Sequence, residues 1–212
     1  SLRLSQRHPA SVKIPIAAAA FCLTRKTPVP ACQSARPVLS PVRAGIWWKV
    51  QRAGNGFEIY ARPGEIAASW FTYARDGRAV WYSAQGTLGA AGSGSMDLLR
   101  HRWSDGRYAG ATVVGSLRID IIGNESIAAT WQVDGADGRW ALVPFAFGGA
   151  SPEIDHSGSW FDPTNAGWGL TLAEQGQTLA ASLYAYVASG APVWFTGSGA
   201  PASSLELRSY RG

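Results

Sequence analysis

Two stretches of the chain, residues 45–86 and residues 158–199, decide the fold. The first reads GIWWKVQRAGNGFEIYARPGEIAASWFTYARDGRAVWYSAQG, and the second reads GSWFDPTNAGWGLTLAEQGQTLAASLYAYVASGAPVWFTGSG. When Gly158 is aligned with Gly45, the two stretches match without a gap and are identical at 13 positions. Self-similarity at a fixed spacing is the signature of a duplicated structural unit. We therefore expect two similar units, and we expect the second, which stops at Gly212, to be incomplete.

This internal match predicts the domain organisation. Residues 1–44 are expected to form a leader or a disordered segment, and residues 45–149 the first unit. Residues 150–157 are expected to be a linker, and residues 158–212 the truncated second unit. A first unit of this length is long enough to bury a core of its own.

Within the first unit, short runs rich in Val, Ile, Trp, Tyr and Phe alternate with turn-forming pairs such as Asp76-Gly77 and Gly123-Asn124. Such runs are typical of β-strands joined by hairpins. The sequence therefore predicts an all-β fold, an up-and-down antiparallel meander of about eight strands that forms a small barrel or a sandwich. The expected strands are residues 45–50, 55–62, 65–74, 79–86, 95–102, 109–121, 125–133 and 139–147.

The turns also predict which side chains share a face of the sheet. Two-residue loops at residues 63–64 and 76–77 fix a register in which Thr72 pairs with Trp81, and paired residues lie on the same face. One face is apolar almost throughout, so we expect it to be the core. It carries Phe57, Ile59, Ala68, Trp70, Thr72 and Trp81 in the first unit, and Leu170, Leu172, Ala181, Leu183, Ala185 and Trp194 in the second.

The opposite face carries aromatic side chains in both units, and we predict that they bind a ligand or a partner. Exposed aromatic patches of a few hundred Å² are typical of contact sites, and tyrosine combines a rigid ring with a polar group. The alternative is that these side chains pack against a neighbouring unit or a second sheet. The predicted binding residues are Phe71, Tyr73, Tyr82, Tyr184, Tyr186 and Phe195.

The distribution of charge argues against nucleic acid as a partner. The whole chain carries a net charge of +5, but seven of its 19 Lys and Arg residues lie in residues 1–44, which contain no acid. The remaining 12 basic residues face all 14 acidic ones, so the folded part has no excess positive charge to bind phosphates.

The leader has the character of a targeting segment, because Lys13 precedes an apolar stretch over residues 14–23. We expect export to the periplasm, the outer envelope or the medium. No stretch is long and apolar enough for a transmembrane helix. Both cysteines, Cys22 and Cys32, lie in the leader, so the units have no disulfide, and Cys32 is a candidate lipid anchor.

The sequence contains no motif that indicates catalysis. There is no nucleophile elbow, zinc-protease motif, phosphate-binding loop or paired-cysteine spacing. The three histidines, His8, His101 and His156, lie far apart in the sequence. We therefore predict a protein that is not an enzyme and has no metal or cofactor.

Residues 158–163 (GSWFDP), 167–170 (GWGL), 183–186 (LYAY) and 190–195 (GAPVWF) resemble a known repeat. It is the G-x-W-Y-[DN]-P, G-x-G repeat of uncharacterised secreted and lipoprotein-class envelope proteins of Gram-negative bacteria. The first unit departs from it, with Lys49-Val50 in place of Asp-Pro. The resemblance implies an envelope or extracellular location and no particular activity. A fainter similarity, to avidin-type barrels, rests on the G-x-W start and the eight-stranded meander.

These observations together predict a non-enzymatic binding or adhesion module of the cell envelope. Its aromatic surfaces would bind an envelope glycan, a peptide or a protein whose identity the sequence does not give. The alternative is a structural or accessory domain of a larger secreted enzyme, with no ligand of its own.

Overall fold

The structure, a computed structural model, describes residues 11–15, 24–25, 45–149, 156–162, 167–201 and 204–212. Every regular element in these residues is a β-strand, so the all-β prediction is confirmed. The predictions for Cys22 and Cys32, and most of the predicted linker, lie outside the described residues.

Fifteen strands are present in the described residues. In chain order they are β1 (Ser11–Pro15), β2 (Thr24–Arg25), β3 (Gly45–Trp48), β4 (Gly56–Arg62), β5 (Glu65–Tyr73), β6 (Ala79–Gly86), β7 (Ser93–Ser104), β8 (Arg107–Gly123), β9 (Ser126–Val133), β10 (Ala136–Pro144), β11 (Gly158–Phe161), β12 (Gly169–Gln175), β13 (Thr178–Tyr186), β14 (Pro192–Gly199) and β15 (Ser204–Arg208).

Strands β3 to β10 form a closed barrel in which each strand pairs with the next in the chain. The ring closes where β10 pairs with β3, through Val143 opposite Trp48 and Pro144 opposite Trp47. All eight strands predicted for the first unit are present, and of the two predicted architectures the barrel is the one that forms. Closure leaves no free edge on this sheet.

The turn between β5 and β6 corrects the predicted register. Ala74 N donates to Arg78 O at 2.8 Å, so the loop contains three residues, with Gly77 in the left-handed region at φ 76°. The odd loop length shifts β6 by one position, and Phe71 rather than Thr72 lies opposite Trp81. Because side chains alternate along a strand, this shift moves Trp81 out of the predicted core.

The barrel interior is filled by one apolar cluster drawn from all eight strands. The predicted pairing of Phe57 with Trp70 is confirmed, and both side chains lie in this cluster. Tyr82 joins them from β6, in the place that the sequence prediction gave to Trp81. Burial of each large side chain here is worth roughly 1.5–3 kcal/mol.

Strands β11 to β15, here called the second sheet, pair in sequence order, with β1 added beside β15 and β2 beside β11. Its register reproduces that of the barrel when Gly158 is aligned with Gly45. Leu170 pairs with Leu183 as Phe57 pairs with Trp70, and the same holds along β3 to β6 and β11 to β14.

The second sheet packs on the outside of the barrel. Trp81 and Ala79 of β6 lie in a buried cluster with residues of β12 to β15, and Phe71, Tyr73 and Trp103 pack against it from the barrel side. The aromatic outer face of β5 and β6 is therefore covered by the second sheet of the same chain.

Candidate ligand-binding site

The six aromatic residues predicted to form exposed binding patches are not exposed. Tyr82 faces the barrel interior. Phe195 is only 2% exposed and lies in the buried cluster that β6 forms with strands β12 to β15. The other four lie between the barrel and the second sheet: Phe71, Tyr73, Tyr184 and Tyr186. These four side chains pack against a neighbouring part of the same chain, which was the alternative stated from the sequence.

One end of the barrel opens into a cavity of about 560 Å³, here called the mouth cavity. It lies where the β3–β4 loop, the β5–β6 turn and the β9–β10 turn meet. Its size falls within the range of small-molecule sites in proteins. The aromatic wall consists of Trp70, Tyr82, Trp131 and Trp140.

The aromatic wall is a set of mutually packed rings. The ring centroids of Trp70 and Trp131 are 5.0 Å apart, and Trp140 lies 5.7 Å from each of them with its plane turned by 84° and 74° respectively. Phe57 stacks under Trp70 at 5.3 Å. Rings held at fixed angles by their neighbours form a rigid surface that loses little entropy when a ligand binds.

Two indole groups in this wall lack hydrogen-bond partners. Nε1 of Trp70 and Nε1 of Trp131 are buried and donate to no acceptor among the described residues. A buried donor without an acceptor costs about 1–3 kcal/mol, and such groups are uncommon in folded proteins. Both nitrogens are closed off from solvent, so they contribute to the rigidity of the wall and not to its exposed polar groups.

Three charged side chains line the mouth cavity, two arginines and one aspartate. Asp134 pairs with Arg100, whose guanidinium also lies 5.5 Å from the centroid of the Tyr82 ring. Burial raises the pKa of Tyr82, which keeps this phenol neutral. Arg52 and Arg75 form no ion pair within the described part of the chain, and Arg52 lies 5.9 Å from the Trp140 ring.

Thr72 and Asn55 complete the polar part of the lining. The Thr72 hydroxyl donates to Asn55 Oδ1 at 2.6 Å, and the Asn55 amide nitrogen donates to Ala53 O at 3.2 Å. These bonds tie the β3–β4 loop to the end of β5. The loop that forms one side of the mouth cavity is thereby held in place.

The sequence predicted that Trp70 lies in the core, but it did not predict that Trp131 and Trp140 lie beside Trp70. These two residues flank the β9–β10 hairpin, where Trp131 pairs with Gly138. The sequence did carry one signal for this site. It has a tryptophan on each side of a short turn, in a chain that was predicted to close into a barrel. Only the closing contact of β10 with β3 places Trp140 beside Phe57, at 5.9 Å.

A second polar arrangement lies outside the barrel, on β6 to β8. The Ser83 hydroxyl is 2.6 Å from His101 Nε2, and His101 Nδ1 is 3.0 Å from the Tyr108 hydroxyl. The order of groups is that of a nucleophile, a base and an orienting residue, but a neutral phenol does not stabilise an imidazolium as a carboxylate does. The His101 ring stacks on Trp81 at 4.8 Å, so these bonds hold it against the contact with the second sheet.

In the residues that the structure describes, no group of three or more His, Cys, Asp or Glu side chains is arranged to hold a metal ion. No helix in that part of the chain has the length and apolar character of a membrane span. Comparison with family models, with curated proteins and with solved structures returned no match.

Proposed function

We propose that this chain is a non-enzymatic binding protein whose ligand site is the mouth cavity of the barrel. The observation that carries the proposal is a cavity of about 560 Å³ walled by Trp70, Trp131, Trp140 and Tyr82. Small-molecule sites are typically apolar clefts with a few polar groups that orient the ligand. The mouth cavity has this composition.

The lining favours a ligand with a planar ring and a negative group. A ring can lie against the tryptophans with the offset or edge-on geometry that aromatic surfaces prefer. Arg52 and Arg75 at the rim attract an anion, because Asp134 is already neutralised by Arg100. Arg52 beside Trp140 is suited to bind a carboxylate while its guanidinium stays over the indole.

An exported location belongs to the same proposal. Its support is the basic, acid-free leader with its apolar stretch at residues 14–23, and the resemblance of residues 158–195 to envelope repeats. In this setting the ligand would be a small molecule or the terminal group of an envelope glycan or peptide. Fractionation of cells that produce the tagged full chain tests the location directly.

The ligand proposal is tested by calorimetry on the full chain with three probes of one shape. Indole-3-acetate carries a negative group, indole-3-acetamide is neutral, and tryptamine is positive. We expect the anion to bind most tightly and the cation most weakly. Equal affinity for all three would contradict the charge assignment but not the site, whereas no binding at millimolar concentration would contradict the site itself.

Trp131→Ala is the variant that locates binding. Its ring is half-buried in the wall, and loss of a stacked aromatic typically weakens ring binding by about 1–3 kcal/mol, or roughly 5- to 150-fold. Trp48→Ala is the matched control, because Trp48 is also a half-buried barrel tryptophan but contacts Phe145 away from the mouth cavity. Equal losses in both variants would mean that the effect is not local to the mouth cavity.

The alternative function, a structural or accessory domain without a ligand, is favoured by one observation. Four of the six aromatics that the sequence offered for binding join the barrel to the second sheet instead. If this alternative is correct, none of the three probes binds, and Trp131→Ala changes only the stability of the fold.

A further inference from the structure

The contact between the barrel and the second sheet, here called the docking interface, contains two hydrogen bonds that mirror each other. Trp81 Nε1 of the barrel donates to Ala185 O of the second sheet at 3.2 Å. Trp194 Nε1 of the second sheet donates to Thr72 O of the barrel at 2.9 Å. In the alignment of the two units, Trp194 is the counterpart of Trp81, and Ala185 is the counterpart of Thr72. Each side therefore gives and receives the same bond.

The ring contacts across the docking interface are reciprocal as well. Phe71 lies 5.5 Å from Trp194 at 58°, and its counterpart Tyr184 lies 5.5 Å from Trp81 at 52°. Tyr73 contacts Trp194 at 5.6 Å and 54°, just as Tyr186 contacts Trp81 at 6.0 Å and 57°. If the barrel and the second sheet are exchanged, each of these ring contacts is replaced by its counterpart.

One pair of counterparts meets directly. The Thr171 hydroxyl donates to Glu58 Oε2, and these two residues occupy the same position in the alignment of the two units. In an interface with twofold symmetry, only residues at the axis contact their own counterparts. The docking interface thus has the geometry of a symmetric dimer contact, with Glu58 and Thr171 at its axis.

We propose that the barrel side of the docking interface can bind the same surface of a second copy of this chain. We also propose that Glu58 makes the second sheet the preferred partner of this surface. The barrel face supplies both halves of the contact, the Trp81 indole and the Thr72 carbonyl, so two barrel faces from two chains can form the same pair of bonds. Phe71 and Tyr73 of one chain then contact Trp81 of the other.

Glu58 selects between the two partners because of what it faces. Opposite the second sheet it accepts from a threonine hydroxyl, whereas opposite another barrel it would face a second Glu58. Like charges brought together in a buried contact disfavour that pairing, which is how interfaces exclude wrong partners. The intramolecular contact also has the advantage of a high effective concentration.

The test is sedimentation velocity of the full chain over a range of concentrations. Trp194→Ala weakens the intramolecular contact, and Glu58→Thr removes the repulsion between barrels. We expect the W194A/E58T variant to form a concentration-dependent dimer, and W194A alone to remain a monomer. Addition of W81A to the double variant should abolish the dimer, since it removes the barrel's own donor.

The proposal is overturned if W194A/E58T stays a monomer at all concentrations, or if its dimer survives W81A. Only the barrel needs to remain folded, and near-ultraviolet circular dichroism of its buried tryptophans reports this. An exchange of the axial pair gives a second readout that leaves both Trp81 and Trp194 intact. Thr171→Glu should lower the thermal midpoint by facing two carboxylates, and E58T/T171E should recover part of that loss, because Tyr60, which also donates to Glu58, has Ala173 as its counterpart. No recovery would mean that the two positions are not equivalent.

Discussion

The barrel and the second sheet share a strand register but differ in what they place on their two faces. On the face that joins them, the side chains match: Trp81 corresponds to Trp194 and Tyr73 to Tyr186. On the other face they diverge, and the cavity residues Trp70, Tyr82 and Asn55 have the counterparts Leu183, Phe195 and Trp168. The side chains that the two regions share form the contact between them, whereas side chains found only in the barrel line the mouth cavity.

The largest effect is expected at the matched tryptophans. Trp81→Ala and Trp194→Ala each remove a side chain that is at most 5% exposed, and each should lower the free energy of unfolding by about 3–5 kcal/mol. Because both act on one interface, the double variant should lose much less than the sum of the two. Denaturant unfolding measures all three variants. Additive losses would show that the two residues stabilise separate parts of the chain.

A smaller effect separates two counterparts that differ in burial. Gln175 is 6% exposed, and its side chain bonds Phe145 O, Phe147 N and Gly148 N at 3.0–3.2 Å, whereas its counterpart Arg62 forms an exposed ion pair with Glu65. Gln175→Ala should cost about 2 kcal/mol by leaving those backbone groups unpaired, and Arg62→Ala at most about 0.5 kcal/mol. Chemical denaturation of both variants gives the comparison. A similar cost at both positions would contradict the assignment of the Gln175 bonds.

The smallest effect is expected at alkaline pH. Tyr186 donates to Gly167 O at 2.6 Å, and burial raises its pKa above the ordinary value of 10.0. A raised folded-state pKa gives stability that is fully present below the unfolded-state value and is lost as the pH rises above about 10. Tyr186→Phe should therefore flatten the fall in stability above pH 10 by about 1.4 kcal/mol per pH unit at most.

Tyr73→Phe is the control for that measurement. Burial raises the pKa of Tyr73 too, but this residue is only half-buried, so its contribution to the alkaline slope should be smaller. Urea titrations at a series of pH values between 8 and 12 would show the difference. A slope that Tyr186→Phe leaves unchanged would mean that other groups control the alkaline loss.

Most of the fold was predictable because its signals are local. Alternating apolar residues and turn pairs located all eight barrel strands, and the pairing of Phe57 with Trp70 followed from one hairpin. The face of Trp81 was predicted wrongly, since it depends on whether a turn holds two residues or three. Both lengths are compatible with the sequence around Asp76-Gly77.

The candidate site was less predictable because it depends on contacts between distant parts of the chain. Trp70, Trp131 and Trp140 meet only when β10 closes on β3, and no local pattern specifies that closure. The burial of Tyr184 and Tyr186 likewise depends on the packing of one region on another, which alternation along a strand does not reveal. Sequence periodicity identifies an apolar face but not what covers it.

The three-residue turns also constrain how this chain can change in length. Val187 N donates to Ala191 O as Ala74 N donates to Arg78 O, so the two regions keep the same loop size at Gly77 and Gly190. Deletion of one residue from the first loop would leave a two-residue loop between the same flanking residues, Ala74 and Arg78, so Trp81 would stay opposite Phe71 and Tyr82 would stay in the barrel interior. A single-residue deletion within β6, by contrast, would turn over the part of the strand beyond it and would damage the cavity and the contact between the regions together. Changes in length should therefore be tolerated in these two loops and not in the strands that they join.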